Sequence, residues 1–205
     1  EIGPMIAMIE RLEKLGHAYE AMGHVLFSVP SDPDYGARSR RERDQMIAGA
    51  RVEVAPYKRD AADFVLWKPS PADVIGWDSP WGRGRPGWHL ECSAMAMDLL
   101  GETLDIHTGG VDLIFPHHED EIAQSEAATG VAFARCWCHG AFLLTDGTKM
   151  AKRVGNVSTV QGLREAHVSA AAIRHFIFTA HYRKELNLSD EALEASAEAV
   201  RRVGD

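Results

Sequence analysis

Hydrophobic positions recur at three-residue steps near the start of the chain, at Ile6, Ile9, Leu12 and Leu15, which predicts a helix over residues 4–15 stopped by Gly16. Residues 24–29 are apolar enough for a strand, closed by a turn at Pro30-Ser31-Asp32-Pro33. Residues 38–49 predict a short polar helix, and residues 52–54 and 64–67 predict strands around a charged loop. Residues 69–87 are rich in Pro, Gly, Ser and Trp and read as irregular chain crossing between subdomains. From Trp88 the pattern changes. Residues 91–99 read as a helix with Met95, Leu99 and Leu100 toward a core. Residues 104–107 read as a short strand, followed by a tight turn at Thr108-Gly109-Gly110. Pro116 suits the first position of a helix running to about Ala128, with Gly130 as its stop, and residues 141–145 form another strand of buried type. This alternation over residues 88–145 predicts an α/β fold with parallel layering. Three helical patterns follow, over 160–166, 170–180 and 190–203, with Ser189 as N-cap of the last, and predict a helical bundle segment.

Composition narrows the class. Apolar residues make up 45% and charged residues 25% of the 205-residue chain, as in ordinary soluble globular proteins. No apolar run is long enough to cross a bilayer, and the start Glu1-Ile2-Gly3-Pro4 has no signal-peptide core and no initiator Met. The net charge of −8 argues against a general grip on nucleic acid, although Arg38-Ser39-Arg40-Arg41-Glu42-Arg43 is locally basic; that run reads as a solvated surface segment. Three cysteines, Cys92, Cys136 and Cys138, do not make a disulfide framework, and they fit a reducing, cytoplasmic setting.

Two stretches carry chemistry. His117 and Glu121 are four residues apart on the predicted helix and so share a face, while Cys92 lies near the start of another helix. Zinc takes thiolate, imidazole and carboxylate in tetrahedral order, so the three could hold one ion with a place left for a substrate thiolate. The plainer alternative makes Cys92 a buried small hydrophobe and the acids Glu119, Asp120 and Glu121 partners of a helix N-terminus. Cys136-Trp137-Cys138-His139 is a rival metal site, but one residue between ligands is tight for zinc, and core thiols are the expected reading there. In the second stretch, Lys149 and Lys152 follow a strand and the turn Thr145-Asp146-Gly147-Thr148. Such lysines can follow phosphate charge, or simply form a solvated basic loop. Gly109, Gly110 and Asp112 could receive a nucleotide, with Asp112 accepting from ribose hydroxyls, but neither a P-loop nor a G-x-G-x-x-G is present.

Taken together, residues 84–95, residues 105–125 with Phe115-Pro116-His117-His118-Glu119-Asp120-Glu121, and Lys149-Met150-Ala151-Lys152-Arg153 resemble cysteinyl-tRNA synthetases of class I, the last stretch matching the KMSKS loop. Ala180-His181-Tyr182-Arg183 is also similar to the family's helical region. The resemblance implies the second half of a Rossmann-like catalytic domain with an insertion, followed by a helical segment. It assigns residues 1–16 to a helix of the catalytic domain and 17–75 to the insertion. It assigns 76–148 to the second half-domain and 149–205 to the lysine loop and a stem-contact region. It implies one Zn2+ per chain on Cys92, His117 and Glu121, and substrate contacts from Trp88 and His107. Lys149, Lys152 and Asp112 would bind ATP with Mg2+, with L-cysteine and tRNA(Cys) as the other partners, in a monomeric, cytoplasmic enzyme. The HIGH signature and the family's fourth zinc ligand have no counterpart, so the chain is expected to begin after them and not to form an adenylate alone. The anticodon-reading domain would lie beyond Asp205. KMAKR replaces two serines of the signature and loses their hydroxyl contacts. The same motifs would serve a ligase that passes cysteine to an amino sugar, or a non-catalytic zinc-binding paralogue.

Overall fold

A computed structural model describes residues 2–41, 55–150 and 158–204. The strand expected at 52–54, most of the helix expected at 38–49, and Lys152 lie outside the described residues. The chain forms two compact units, one of residues 1–107 and 112–137, the other of residues 108–111 and 138–205.

The first unit opens with α1 (Ile2–Leu15), which buries Met5, Met8, Ile9 and Leu12. This stripe follows the helical period; the three-residue series expected from the sequence does not. At about 100° per residue, Ile6 and Leu15 end up on opposite sides of the helix. Leu15 is accordingly exposed. Gly16, at φ +85°, ends the helix as expected, with Gly16 N–H donating to Glu13 C=O and His17 N–H to Leu12 C=O in a Schellman closure. Two strands follow, β1 (Ala18–Ala21) and β2 (His24–Phe27), joined by Met22 and Gly23, both at positive φ as a two-residue primed turn requires. Strand β1 was not expected from the sequence, and Val29 belongs to a 3-10 turn, Val29–Ser31, rather than to β2. Strands β3 (Phe64–Pro69) and β4 (Gly84–Pro86) complete an antiparallel sheet in the order β1-β2-β3-β4.

Helix α2 (Trp88–Leu100) leaves this sheet through Gly87. A Cβ at Gly87 would sit 1.9 Å from the Val65 carbonyl oxygen, so only glycine lets the chain pass β3 this closely. The buried face of α2 is Leu90, Ser93 and Ala94; Leu99 and Leu100, expected in the core, rotate away from it and are exposed. Helix α3 (Glu119–Thr129) starts three residues later than expected, because Ile114–His118 is a kinked turn in which Phe115 is extended (φ −141°, ψ 132°) and Phe115–Pro116 is cis. Helices α1, α2 and α3 pack together, and one core joins Met5, Ile9 and Leu12 to Phe27, Leu66, Trp67, Leu90 and Ala123. Strand β5 (Leu104–Gly110) continues through the expected turn at 108–110, and it pairs with β6 (Ala134–Gly140). Cys136 on β6 is exposed and Cys138 half-buried, so the expectation of two core thiols is not met.

Asp63 ties the loop before β3 to this sheet. It is buried, and its carboxylate accepts from Tyr19 OH at 2.6 Å, Val29 N–H at 2.9 Å and Asp60 N–H at 2.9 Å. Burial pushes the Tyr19 phenol up to about 12, so it stays a donor. Asp63→Ala would leave three donors without their acceptor and is expected to cost about 3 kcal/mol or more, read as a lowered midpoint in denaturant.

In the second unit, β7 (Leu143–Thr145) pairs antiparallel with β8 (Thr148–Lys149) and parallel with β9 (Leu186–Leu188), a strand the sequence did not reveal. Helices α4 (Val160–Glu165), α5 (Ala170–Phe178) and α6 (Asp190–Gly204) match the expected helical tail. Thr159 and Ser169 cap α4 and α5 through their side chains, and Phe176, Leu188 and Leu193 form a small core.

Candidate metal centre

Three elements of the first unit bring the predicted ligands together. Cys92 is on α2, His117 is the penultimate residue of the kinked turn, and Glu121 is in the first turn of α3. One donor atom from each lies within 4.8 Å of the other two. His117 Nε2 is 3.5 Å from Glu121 Oε1. Two donors each bound to one tetrahedral zinc would stand about 3.3 Å apart, so this separation fits a shared ion.

The three consecutive acids at the start of α3 are all buried, which an exposed helix terminus would not require, and each has its own task. Glu119 accepts backbone N–H groups of Gly36, Arg38 and Ser39 at 3.0, 3.2 and 2.7 Å. Asp120 accepts the Tyr35 hydroxyl at 2.5 Å and faces His89 Nε2 at 3.1 Å. Glu121, fully buried, accepts from His107 Nε2 at 2.9 Å through Oε2. Its Oε1 meets no hydrogen-bond donor of adequate geometry among the described residues, although a buried carboxylate oxygen without a partner is costly. His117 does not remedy this as a cation, because burial lowers its pKa and keeps the ring neutral at pH 7.

Cys92 tells the same story from the other side. Burial, then the Glu121 and Glu91 charges, push its thiol up to about 11. Without a cation the group holds its proton; a cation beside Glu121 would reverse that balance and favour the thiolate. The donor set of one sulfur, one imidazole and one carboxylate therefore fits zinc, and Oε1, without a hydrogen-bond donor among the described residues, supports the same reading. His107, His118 and Glu121 form a second cluster of the same spread, but Glu121 Oε2 is already engaged by His107, and the cluster has no sulfur.

The remaining predicted residues divide. His107 sits against Glu121, with Nε2 2.9 Å from Oε2, and packs edge-on to Trp137 with ring centroids 4.7 Å apart. Trp88 is 58% exposed, and its ring stacks on His117 with centroids 4.4 Å apart. Asp112 is exposed on a 3-10 turn, Val111–Leu113. Lys149 lies in the second unit, exposed on β8, with Nζ 3.7 Å from the Phe142 ring centroid. The sequence reading missed His89, Asp120 and Tyr35; His89 falls three residues before Cys92 on one helix, and that spacing was the available signal. A cavity of about 420 Å3 lined by Tyr35, Lys58, Phe64, His89 and Asp120 adjoins these groups, but Cys92, His117 and Glu121 do not line it.

Comparison with known proteins gives the class first. The fold is similar to methionyl-tRNA synthetase of Mycobacterium tuberculosis, solved with methionyl-adenylate, at a TM-score of 0.63 and 16% identity over 94% of this chain and 48% of that one. The profile of the tRNA synthetases class I (C) catalytic domain matches residues 1–198, and the chain belongs to that family. It is 58% identical to a cysteine–tRNA ligase of Xanthomonas campestris over 98% of this chain and 44% of that protein. It is 57% identical to one of Paramagnetospirillum magneticum over 98% and 44%, and 58% identical to one of Xylella fastidiosa over 97% and 43%. The chain thus spans about two fifths of the length of these relatives.

Proposed function

We propose that this chain is the cysteine-recognising part of an ATP-dependent cysteine–tRNA ligase. The convergence of Cys92, His117 and Glu121 around a buried carboxylate oxygen that meets no hydrogen-bond donor among the described residues carries the reading. The relatives' names, cysteine–tRNA ligase, support tRNA(Cys) as the acceptor. In that reaction the carboxylate of L-cysteine attacks the α-phosphorus of ATP, displacing pyrophosphate, and the terminal ribose hydroxyl of tRNA then takes the acyl group from the adenylate. No side-chain nucleophile is needed; alignment and charge stabilisation suffice.

Zinc held by Cys92, His117 and Glu121 would supply a soft Lewis-acid position that prefers a thiolate to a hydroxyl. The chain's own residues do the rest. His107 fixes the Glu121 carboxylate through Oε2 and leaves Oε1 for the ion. Trp88 offers an apolar face beside His117 for the substrate's methylene. Lys149 and Lys152 hold the polyphosphate of Mg-ATP, and Asp112 receives a ribose hydroxyl.

Selectivity is the direct test. Serine has nearly the shape of cysteine, so a pocket alone discriminates poorly. Pyrophosphate exchange by the full-length protein is expected to run with cysteine and to fall by about 10⁴-fold in kcat/KM with serine. Comparable exchange with both amino acids would overturn the zinc-based reading.

A further inference from the structure

His89 stands three residues before Cys92 on α2 and bridges two buried groups. Its Nε2 lies 3.1 Å from Asp120 Oδ2, and its Nδ1 lies 2.8 Å from Nδ1 of His117. On the far side of Asp120, Oδ1 accepts the Tyr35 hydroxyl at 2.5 Å. We propose that His89 is a positioning residue for the metal centre: Tyr35 and His89 donate into Asp120, His117 Nδ1–H donates into His89 Nδ1, and His117 is thereby held in the tautomer whose Nε2 lone pair is free for a divalent metal. The inference rests on the assignment of Cys92, His117 and Glu121 as zinc ligands.

The polarity of the chain follows from atom types. Two imidazole nitrogens at 2.8 Å share a single proton. If His89 Nδ1 carried it, His117 would keep its own proton on Nε2, aimed at the Glu121 side, and could not ligate there. Yet no N–H of His117 makes a hydrogen bond with Glu121 Oε1, which remains without a donor among the described residues. Asp120 is the group on the other side of His89, with Oδ2 3.1 Å from its Nε2. Facing it, His89 carries its proton on Nε2 and presents Nδ1 as an acceptor. The ring has little freedom to do otherwise. Phe64 packs edge-on against it with centroids 5.9 Å apart, and the His89 carbonyl accepts from Gln124 Nε2 at 2.7 Å. Tyr35 comes from the segment 17–75, so the inserted region reaches the metal ligand through two hydrogen-bonded side chains.

Histidine 15N NMR of the zinc-loaded protein reads the tautomers directly. His117 is expected as Nδ1–H with Nε2 on the metal, and His89 as Nε2–H; ligation through His117 Nδ1, or an Nδ1–H on His89, would overturn the proposal. Zinc affinity by chelator competition adds a functional readout. His89→Leu, which removes the acceptor, is expected to weaken zinc by about 10–100-fold. His89→Asn places an amide oxygen near the former Nδ1 and is expected to recover most of that loss. Wild-type affinity in His89→Leu, or an Asn variant as weak as the Leu variant, would defeat the relay while the zinc centre stood. A wild-type protein that retains no zinc would defeat the zinc assignment itself. Should His89→Leu not fold, the wild-type NMR and His89→Asn still decide.

Discussion

Replacing Cys92 by alanine is expected to strip the protein of stoichiometric zinc while leaving its fold nearly unchanged. The expectation of a large effect comes from the ligand count. Removing an outer partner of a metal site typically costs about 10–100-fold in affinity, and removing a ligand costs more. The expectation of a small folding effect comes from the surroundings. Cys92 is half-buried, its thiol is held protonated beside a buried carboxylate, and the helix core is carried by Leu90 and Ala94. Metal analysis of the purified variant, paired with a thermal melt of the metal-free protein, separates the two. Glu121→Gln should lose the ion as well, because it removes the charge.

The second large effect is expected at Lys149. Lys149→Ala should lower the rate of cysteine-dependent pyrophosphate exchange by about 10²–10³-fold, the usual consequence of losing one group that stabilises transition-state charge. Zinc content and KM for cysteine should not move, since the residue belongs to the hairpin β7–β8 and not to the ligand cluster. Lys149→Arg should rescue only part of the loss: a planar guanidinium does not reproduce a compact point charge on a flexible stem. The hairpin supports such a role in two ways. Its turn is tight, with Asp146 and Gly147 both at positive φ, and the Gly147 N–H is tied to Asn187 Oδ1 at 2.8 Å. The Lys149 side chain is exposed, with its ammonium over the Phe142 ring.

The candidate metal ligands stood out in the sequence through donor types that spacing alone left open and that the family resemblance singled out; α2, the kinked turn and α3 bring Cys92, His117 and Glu121 together. The lysine loop was legible only by resemblance to a signature. What the sequence hid is the work of buried polar groups. Glu119, Asp120 and Glu121 are adjacent, so a one-dimensional reading gives them one explanation, the helix dipole. In space their side chains leave the helix in different directions and meet backbone amides, a tyrosine with a histidine, and the candidate ligand cluster respectively.

Local patterns misled where three-dimensional neighbours decide. Strands β1 and β9 are short, and their pairing partners, β2 and β7, are what define them. Pro116 carried the mark of a helix start, yet the extended Phe115 before it delays α3 to Glu119. The apolar series in α1 was counted at steps of three, which drift around a helix, whereas the buried set Met5, Met8, Ile9 and Leu12 keeps the true period. Leu99 and Leu100 have core chemistry but a surface position, a reminder that the apolar-inside rule runs one way.

The central claim is that one sulfur, one imidazole and one carboxylate of this chain grip a single zinc ion. X-ray absorption at the zinc edge on the purified full-length protein measures that shell. It should show sulfur at about 2.3 Å and nitrogen or oxygen at about 2.0–2.1 Å, with one sulfur fewer, or no retained zinc, in Cys92→Ala. A wild-type shell of nitrogen and oxygen alone, or a sulfur count unchanged by the substitution, would contradict it.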